Sequence, residues 1–439
     1  MSSEFNYKHI RLPLYGFVGI SKKEDAVLQT PVVQRLRRIK QLSNTYLVYP
    51  GAVHTRLEHS LGTLHLAGIV ADRLKLKKSE KRVLRLAALL HDIGHGPFSH
   101  VFTTPMTWIN GENYTHEDTT IFLIKHDEAL SKALGREKDH VLNVFEDEGS
   151  LLHKIISSEF DIDKLDYLRR DSYHTGVAYG IYDLERILLT ICKISRFGEE
   201  YFGVTEKGMR AIESYRLARF NLFEQVYEHH TRLAADDILC KSLKLAIKEG
   251  CIKDEKLRIK KENAKDFCDY FNYLDDYSLQ HEILTKSNSV AREIIKCLRS
   301  RKLPKRVFRV RIDKLGIPDP TTRDRITRMK VKDIEAIEKQ IAEASGISPN
   351  FVTLHLQITP IRGYRRTDED AGISEQILIK MDNGEILSLD QMSPLTLKIR
   401  SIRKLFVFAL CSKRRLNKVK EVSKEIFWKE FGIKSDLAK

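Results

Sequence analysis

Apolar positions recur along most of this chain at helical spacing, which predicts a mainly α protein. Val27, Leu28, Val32, Leu36 and Ile39 predict a helix over 24–41, with Pro31 as a candidate first-turn residue. Leu57, Leu61, Leu64, Gly68 and Ala71 form a stripe over 56–76, and Leu66, Ile69 and Val70 widen it, so that helix should be buried on most sides. Ser79 as N-cap and the apolar run 83–90 predict a helix over 79–92, which Gly94 stops and Pro97 keeps from resuming. Further helical patterns cover 117–133, 150–171, 184–194, 208–247 and 289–300. Residues 1–20 read as extended chain with turns at Pro13, Gly16 and Gly19.

The pattern changes near residue 303. VFRVRI (307–312), FVTLHLQI (351–358), QILIKM (376–381), EILSL (385–389) and KLFVFALC (404–411) read as strands. Asp382-Asn383-Gly384 is a hairpin signal. Helices are expected over 331–345 and 415–430. The expected organisation is a helical domain over 1–302, with its core at about 50–175, and a smaller α+β C-terminal lobe over 303–439.

With 439 residues the chain is long enough for two or three units, at about 150 residues per domain. Its formal charge of +15 favours anionic partners: nucleotides, nucleic acid or acidic lipid surfaces. Arg299, Arg301, Lys302, Lys305, Arg306, Arg309 and Arg311 form one basic stretch, and Lys413, Arg414 and Arg415 another. These read as a nucleic-acid contact, an effector or subunit interface, or a plain solvated face; no aromatic interleaving marks a stacking platform. Six scattered cysteines without a Cys-x-x-Cys pair exclude a zinc ribbon and fit a reducing compartment. The N-terminus lacks an apolar signal core, and no run approaches the roughly 18 apolar residues of a membrane span, so the expectation is a cytoplasmic protein.

The chemistry is concentrated in His91-Asp92-Ile93-Gly94-His95-Gly96-Pro97-Phe98-Ser99-His100, at the end of a strongly apolar helix. A buried aspartate without a partner costs several kcal/mol, and a divalent metal is the simplest compensation. Taken alone, the histidines could merely favour the negative end of the helix dipole. Two further words add to them: Arg56-Leu57-Glu58-His59 upstream and the 161–171 segment DIDKLDYLRRD downstream. A His, a His-Asp and a distant Asp, each on a helix, can converge as four ligands and leave positions open for water and substrate.

TRLEHSLG (55–62), HDIGHGPFSH (91–100), YTHE (114–117) and DIDKLDYLRRD (161–171), with TPVVQRLRRIKQL (30–42) and YPGAVHTR (49–56), resemble the HD superfamily. Within it they are most similar to the deoxynucleoside triphosphate triphosphohydrolases, in the branch of the bacterial dGTPase-like and sterile-alpha-motif-and-HD-domain proteins, without the sterile-alpha-motif domain. The resemblance is strong over about 8–190 and weaker beyond. It implies water attack at the α-phosphorus, releasing a deoxynucleoside and intact triphosphate, with a divalent metal (Mn, Mg, Fe, Zn or Ni), an oligomeric assembly and a nucleotide effector. The implied metal ligands are His59, His91, Asp92 and Asp163. Arg56 and Lys164 would neutralise phosphate, and Tyr167 would bond it from the face of Asp163. Asp171, with Gln41, would take the sugar 3′-hydroxyl. His100 or His116 would protonate the leaving oxygen, with His100 favoured, and His95 would hold the α-phosphate. Tyr227 and His229 would touch substrate, and Gln34 and Arg37 an effector.

The chain departs from the family pattern in places. Thr103 stands where an aspartate usually orients a catalytic His, and Glu117 is the candidate substitute. The word at Leu12-Pro13-Leu14 lacks its aspartate. Gln29 replaces an aspartate that reads guanine, so the resemblance does not carry a guanine-nucleotide activator with it. Two other readings stay open: an HD phosphodiesterase or nuclease acting on other nucleotides or nucleic-acid ends, and a non-catalytic nucleotide-sensing or nucleic-acid-binding protein.

Overall fold

The computed structural model describes residues 7–196, 198–358, 376–395 and 403–436. The chain divides into two units interleaved in sequence. One comprises residues 1–222, 253–279 and 362–399, the other 223–252, 280–361 and 400–439. Segments from both sides of residue 303 therefore contribute to each unit.

The first unit opens with an antiparallel hairpin, Lys8–Leu12 against Gly16–Ile20, turning at Gly16 with φ +66°. The helix expected over 24–41 is interrupted. It runs Lys22–Leu28, then Pro31–Gln34, then a 3-10 turn Arg35–Arg38. The ring of Pro31 forces Thr30 out of helical geometry (ψ 146°), which breaks the first segment from the second. Helices Arg56–Arg73 and Lys78–Leu90 pack together as the buried centre of the unit. Ser79 is not the N-cap of the second. Lys77 is, and the Glu80 carboxylate accepts its N–H at 2.7 Å.

Two expected helices are split by caps. Asp127 caps Glu128–Leu134 after His116–His126 ends, and Asp161 caps Ile162–Thr175 after Leu151–Ile156 ends. The helix expected over 184–194 stops at Thr190. Ile191–Arg196 is a strand instead, its β-branched Ile191 and Ile194 buried in a ladder with Glu199–Thr205. Leu378–Lys380 joins that sheet parallel to Glu199–Thr205 and pairs with Ile386–Ser388 across the expected Asp382-Asn383-Gly384 turn, where Gly384 has φ +87°. These two strands were expected in a C-terminal lobe. They complete the sheet of the first unit.

The pattern over 208–247 also breaks, into Met209–Leu222 and His230–Lys248 with a π-type turn Phe223–Tyr227 between them. In the second unit Arg403–Ala409 is the central strand of a three-stranded antiparallel sheet, flanked by Lys305–Arg311 and Val352–Ile358. Helices Val331–Ser345 and Lys413–Phe431 cover it, burying Ile341, Val419 and Phe427 against Val307, Phe308, Val310 and Val407. The protein is mainly α with small sheets. No helix among the described residues is long and apolar enough to cross a membrane, and all six cysteines are free.

Candidate metal centre and active site

The site lies in the first unit, where the ends of three helices meet. His59 sits in the first turns of Arg56–Arg73. His91 and Asp92 end Lys78–Leu90. Asp163 is in the first turn of Ile162–Thr175. Beyond the helix end Gly94 packs where a side chain would collide with Thr120 and the His116 carbonyl.

The donor atoms converge. His59 Nε2 lies 2.9 Å from Asp163 Oδ1 and 3.1 Å from His91 Nε2. His91 Nε2 is 3.7 Å from Asp163 Oδ1 and 3.4 Å from Asp92 Oδ1, and Asp92 Oδ2 is 3.7 Å from His59 Nε2. Adjacent ligands of a six-coordinate ion bound at about 2.1 Å stand roughly 3 Å apart, so this spacing fits a small divalent cation. The tautomers fit too. His59 Nδ1 is 2.8 Å from Asp166 Oδ2, and His91 Nδ1 is 2.8 Å from the Ala88 carbonyl. Each Nδ1 therefore carries the proton, and each Nε2 turns its lone pair toward the other donors. His59, His91 and Asp163 could hold a metal ion, and Asp92, His95 and His116 form an adjoining group.

Charge balance points the same way. Burial disfavours the charged form of His59, yet hydrogen bonds to Asp163 and Asp166 raise its pKa to about 10. Asp163 is held well below the usual carboxylate range by His59 and His91, against the effect of burial. Asp92 is lowered likewise, first by Arg56 and then by His91. The carboxylates around the two Nε2 atoms thus favour a positive charge there, which a proton or a metal cation can supply.

Asp166 was not singled out from the sequence. It is fully buried and takes Tyr15 Oη at 2.8 Å on Oδ1 and the Arg170 fork at 2.8 Å on both oxygens, and Arg170 Nη1 reaches Glu58 Oε1 at 2.5 Å. The signal was present: Asp166 and Arg170 follow Asp163 at i+3 and i+7, charged residues on the buried side of one helix. Arg219 was missed as well. It is buried and bonds Glu159 Oε1 at 2.8 Å, and its field acts on Lys164 and Tyr167.

The other expected residues distribute as follows. Arg56 is buried, donates from Nη1 to Asp92 Oδ2 at 2.7 Å and from Nε to Ser99 Oγ at 2.8 Å, and leaves Nη2 without a partner among the described residues. Lys164 Nζ bonds Asp161 Oδ2 at 2.6 Å. The Tyr167 ring lies 6.4 Å from that of His59, and burial raises its hydroxyl to about 12. Asp171 Oδ1 is 2.8 Å from His54 Nε2. Gln41 donates its N–H to the His54 carbonyl, and its Oε1 is buried and unpartnered.

His95 stacks on His116 with ring centroids 3.8 Å apart and stands edge-on to His100 at 4.8 Å. Burial, then Arg56, His116 and His100, push its pKa well down, so it is neutral; its Nδ1 is buried and unpartnered. His116 Nδ1 lies 3.3 Å from Glu117 Oε2. Gln34 Oε1 accepts from Arg37 Nε at 2.8 Å, and Arg37 lines a cavity of about 300 Å³ with Arg11, Pro13 and Glu58. Tyr227 and His229 belong to the second unit. There His229 Nδ1 accepts the Thr231 N–H at 3.2 Å as a helix cap, and the Tyr227 carbonyl accepts from Arg232 at 2.6 Å.

The HD domain family matches residues 56–171, the stretch that contains all four converging donors, and the HD associated region matches residues 183–428. The chain belongs to the HD-domain family. HD domains are metal-dependent, and the donor set of this HD-domain protein suits a divalent ion. An uncharacterized protein of Methanocaldococcus jannaschii is 42% identical to it over 242 residues, 55% of this chain and 50% of that protein. The human deoxynucleoside triphosphate triphosphohydrolase SAMHD1 is 28% identical over 385 residues, 77% of this chain and 59% of the human protein. The crystal structure of a phosphohydrolase from Bacteroides thetaiotaomicron superposes with a TM-score of 0.71 at 26% identity, covering 92% of this chain and 99% of that one. The chain spans about half the length of the first curated relatives it matches.

Proposed function

We propose that this HD-domain protein hydrolyses deoxynucleoside triphosphates to a deoxynucleoside and inorganic triphosphate. The observation that carries the reading is the convergence of His59, His91, Asp92 and Asp163, with the buried Arg56 paired to Asp92 and the half-buried Lys164 next to Asp163 in sequence. The full-length likeness to a phosphohydrolase and the partial likeness to the human enzyme support it.

A divalent cation held by those four residues supplies Lewis-acid polarisation of phosphate and lowers the pKa of water. Arg56 fixes Asp92 and presents its free Nη2 to a phosphoryl oxygen. Lys164 and Arg219 offset the charge of the outgoing triphosphate, and Tyr167 adds a hydroxyl donor. Asp171 and the free Gln41 Oε1 take the sugar hydroxyl. His95 is neutral and bonds the α-phosphate through an N–H. The leaving 5′-oxygen needs a proton. His116, one of the two candidate donors, has the Glu117 carboxylate 3.3 Å from its Nδ1, which supplies what the Thr103 position lacks. The cavity with Arg11 and Arg37 is the proposed effector site, and the assembly a homo-oligomer.

The test is incubation with each dNTP and Mn or Mg, with chromatographic separation of products. Deoxynucleoside plus intact triphosphate is expected, and Asp163→Ala should abolish both turnover and metal retention. Pyrophosphate with monophosphate, or activity that survives Asp163→Ala, overturns the assignment.

A further inference from the structure

The chain's positive charge is not shared between its units. The second unit carries 33 Lys and Arg against 18 Asp and Glu, the whole of the formal +15, while the site-bearing unit carries 42 of each. An anionic substrate accounts for cations in the first unit; it does not account for an excess in the second.

Within the second unit the fold gathers two basic clusters that lie more than a hundred residues apart in sequence. Lys305 opens the strand Lys305–Arg311 and stands in register with Ala409, the last residue of Arg403–Ala409. Ser412 then caps the helix that begins at Lys413. Paired strands are about 4.8 Å apart, and four residues of chain reach at most roughly 14 Å. Lys302 and Lys305 therefore share one end of the sheet with Lys413, Arg414, Arg415 and Lys418. All six are exposed, and none forms an ion pair among the described residues.

We propose that this end of the second unit binds the phosphate backbone of duplex nucleic acid without reading sequence. A solvated basic face normally pairs its cations with acids, and these six have no ion-pair partner among the described residues. No exposed aromatic lies within the cluster, so base stacking of a single strand has no platform there. The apolar face of Lys413–Phe431 is spent on the core through Val419 and Phe427, and Trp428 is its one large apolar side chain left exposed among the described residues, too little to hold the helix in a lipid surface. What remains is charge at fixed positions, which suits a rigid polyanion.

The test is fluorescence anisotropy of a labelled 20-base-pair duplex against the full chain from 50 to 200 mM salt. Binding should weaken steeply with salt. Lys413→Ala/Arg414→Ala/Arg415→Ala should reduce the log–log slope by roughly 2 to 3, at about 0.9 per phosphate contact. Lys302→Glu/Lys305→Glu should weaken binding at least tenfold, and Lys77→Glu/Lys78→Glu in the first unit should not change it. Unchanged circular dichroism and melting show that each variant folds. No duplex binding, equal loss on changing Lys77 and Lys78, or binding only to phosphatidylserine vesicles overturns the proposal.

Discussion

His59 turns Nδ1 to Asp166 at 2.8 Å and Nε2 to Asp163 at 2.9 Å, so a single imidazole joins a buried charge network to the donor cluster. The network fixes which nitrogen is bare, and the cluster uses it.

Asp166→Asn keeps the size of the side chain and removes its charge. Metal affinity should fall roughly 10- to 100-fold, as for other partners of ligating histidines. The buried Arg170 then loses its main counterion, so thermal stability should fall as well. Metal titration by calorimetry together with melting separates the two effects. Unchanged metal affinity would remove Asp166 from the site.

Gly62 faces the same network from Arg56–Arg73. Replacing an interior helical glycine with alanine usually stabilises by about 1 kcal/mol. Here the new methyl would overlap Asp166 Oδ1 and Arg170 Nη2. Gly62→Ala should therefore lower the melting temperature and metal affinity together; a stabilised variant would show that the network gives way easily.

The proton donor can be assigned kinetically. His116→Gln should reduce kcat roughly 100- to 10,000-fold, and His100→Gln less. Burial pushes the Glu117 carboxyl up, but His116 and Thr115 hold it below its ordinary value. Glu117→Gln should lower kcat more than it raises KM. A larger loss in His100→Gln would return the role to His100.

His65 gives the stability a pH dependence separate from catalysis. Burial, then Arg85, lowers its pKa to about 4, and its ring sits 4.9 Å from that of Tyr15. Its folded pKa lies below the unfolded value of about 6.5, so the unfolded chain binds the extra proton first. Its contribution is complete above pH 6.5 and is lost as pH falls toward 4. Urea denaturation at pH 7 and pH 5 should show a smaller drop for His65→Gln than for the parent; an equal drop would assign the dependence elsewhere.

Much of this was readable in the sequence. The helices over 56–73 and 78–90, the strands after 303 and the Asn-Gly hairpin followed from period and turn chemistry, and the His59, His91, Asp92 and Asp163 words converge in space. The failures have local causes. Pro31, Asp127 and Asp161 break continuous apolar patterns by capping and sterics, which a periodicity count ignores. The 191–196 strand looked helical because the apolar spacing of 184–191 runs into it without a break, and its pairing with 199–205 is a contact that periodicity does not see. Asp166, Arg170 and Arg219 were passed over because a charged residue on a helix reads as surface until the helix is known to be buried on that side. The division into units was unreadable, since periodicity and turn signals follow the chain in order and do not show where it crosses back.

That crossing has a consequence for how the protein is made. The sheet begun by 191–205 is finished by Leu378–Lys380 and Ile386–Ser388, which belong to the same unit. A ribosome that has delivered all four converging donors still has more than two hundred residues to translate before the unit that carries them can close its sheet.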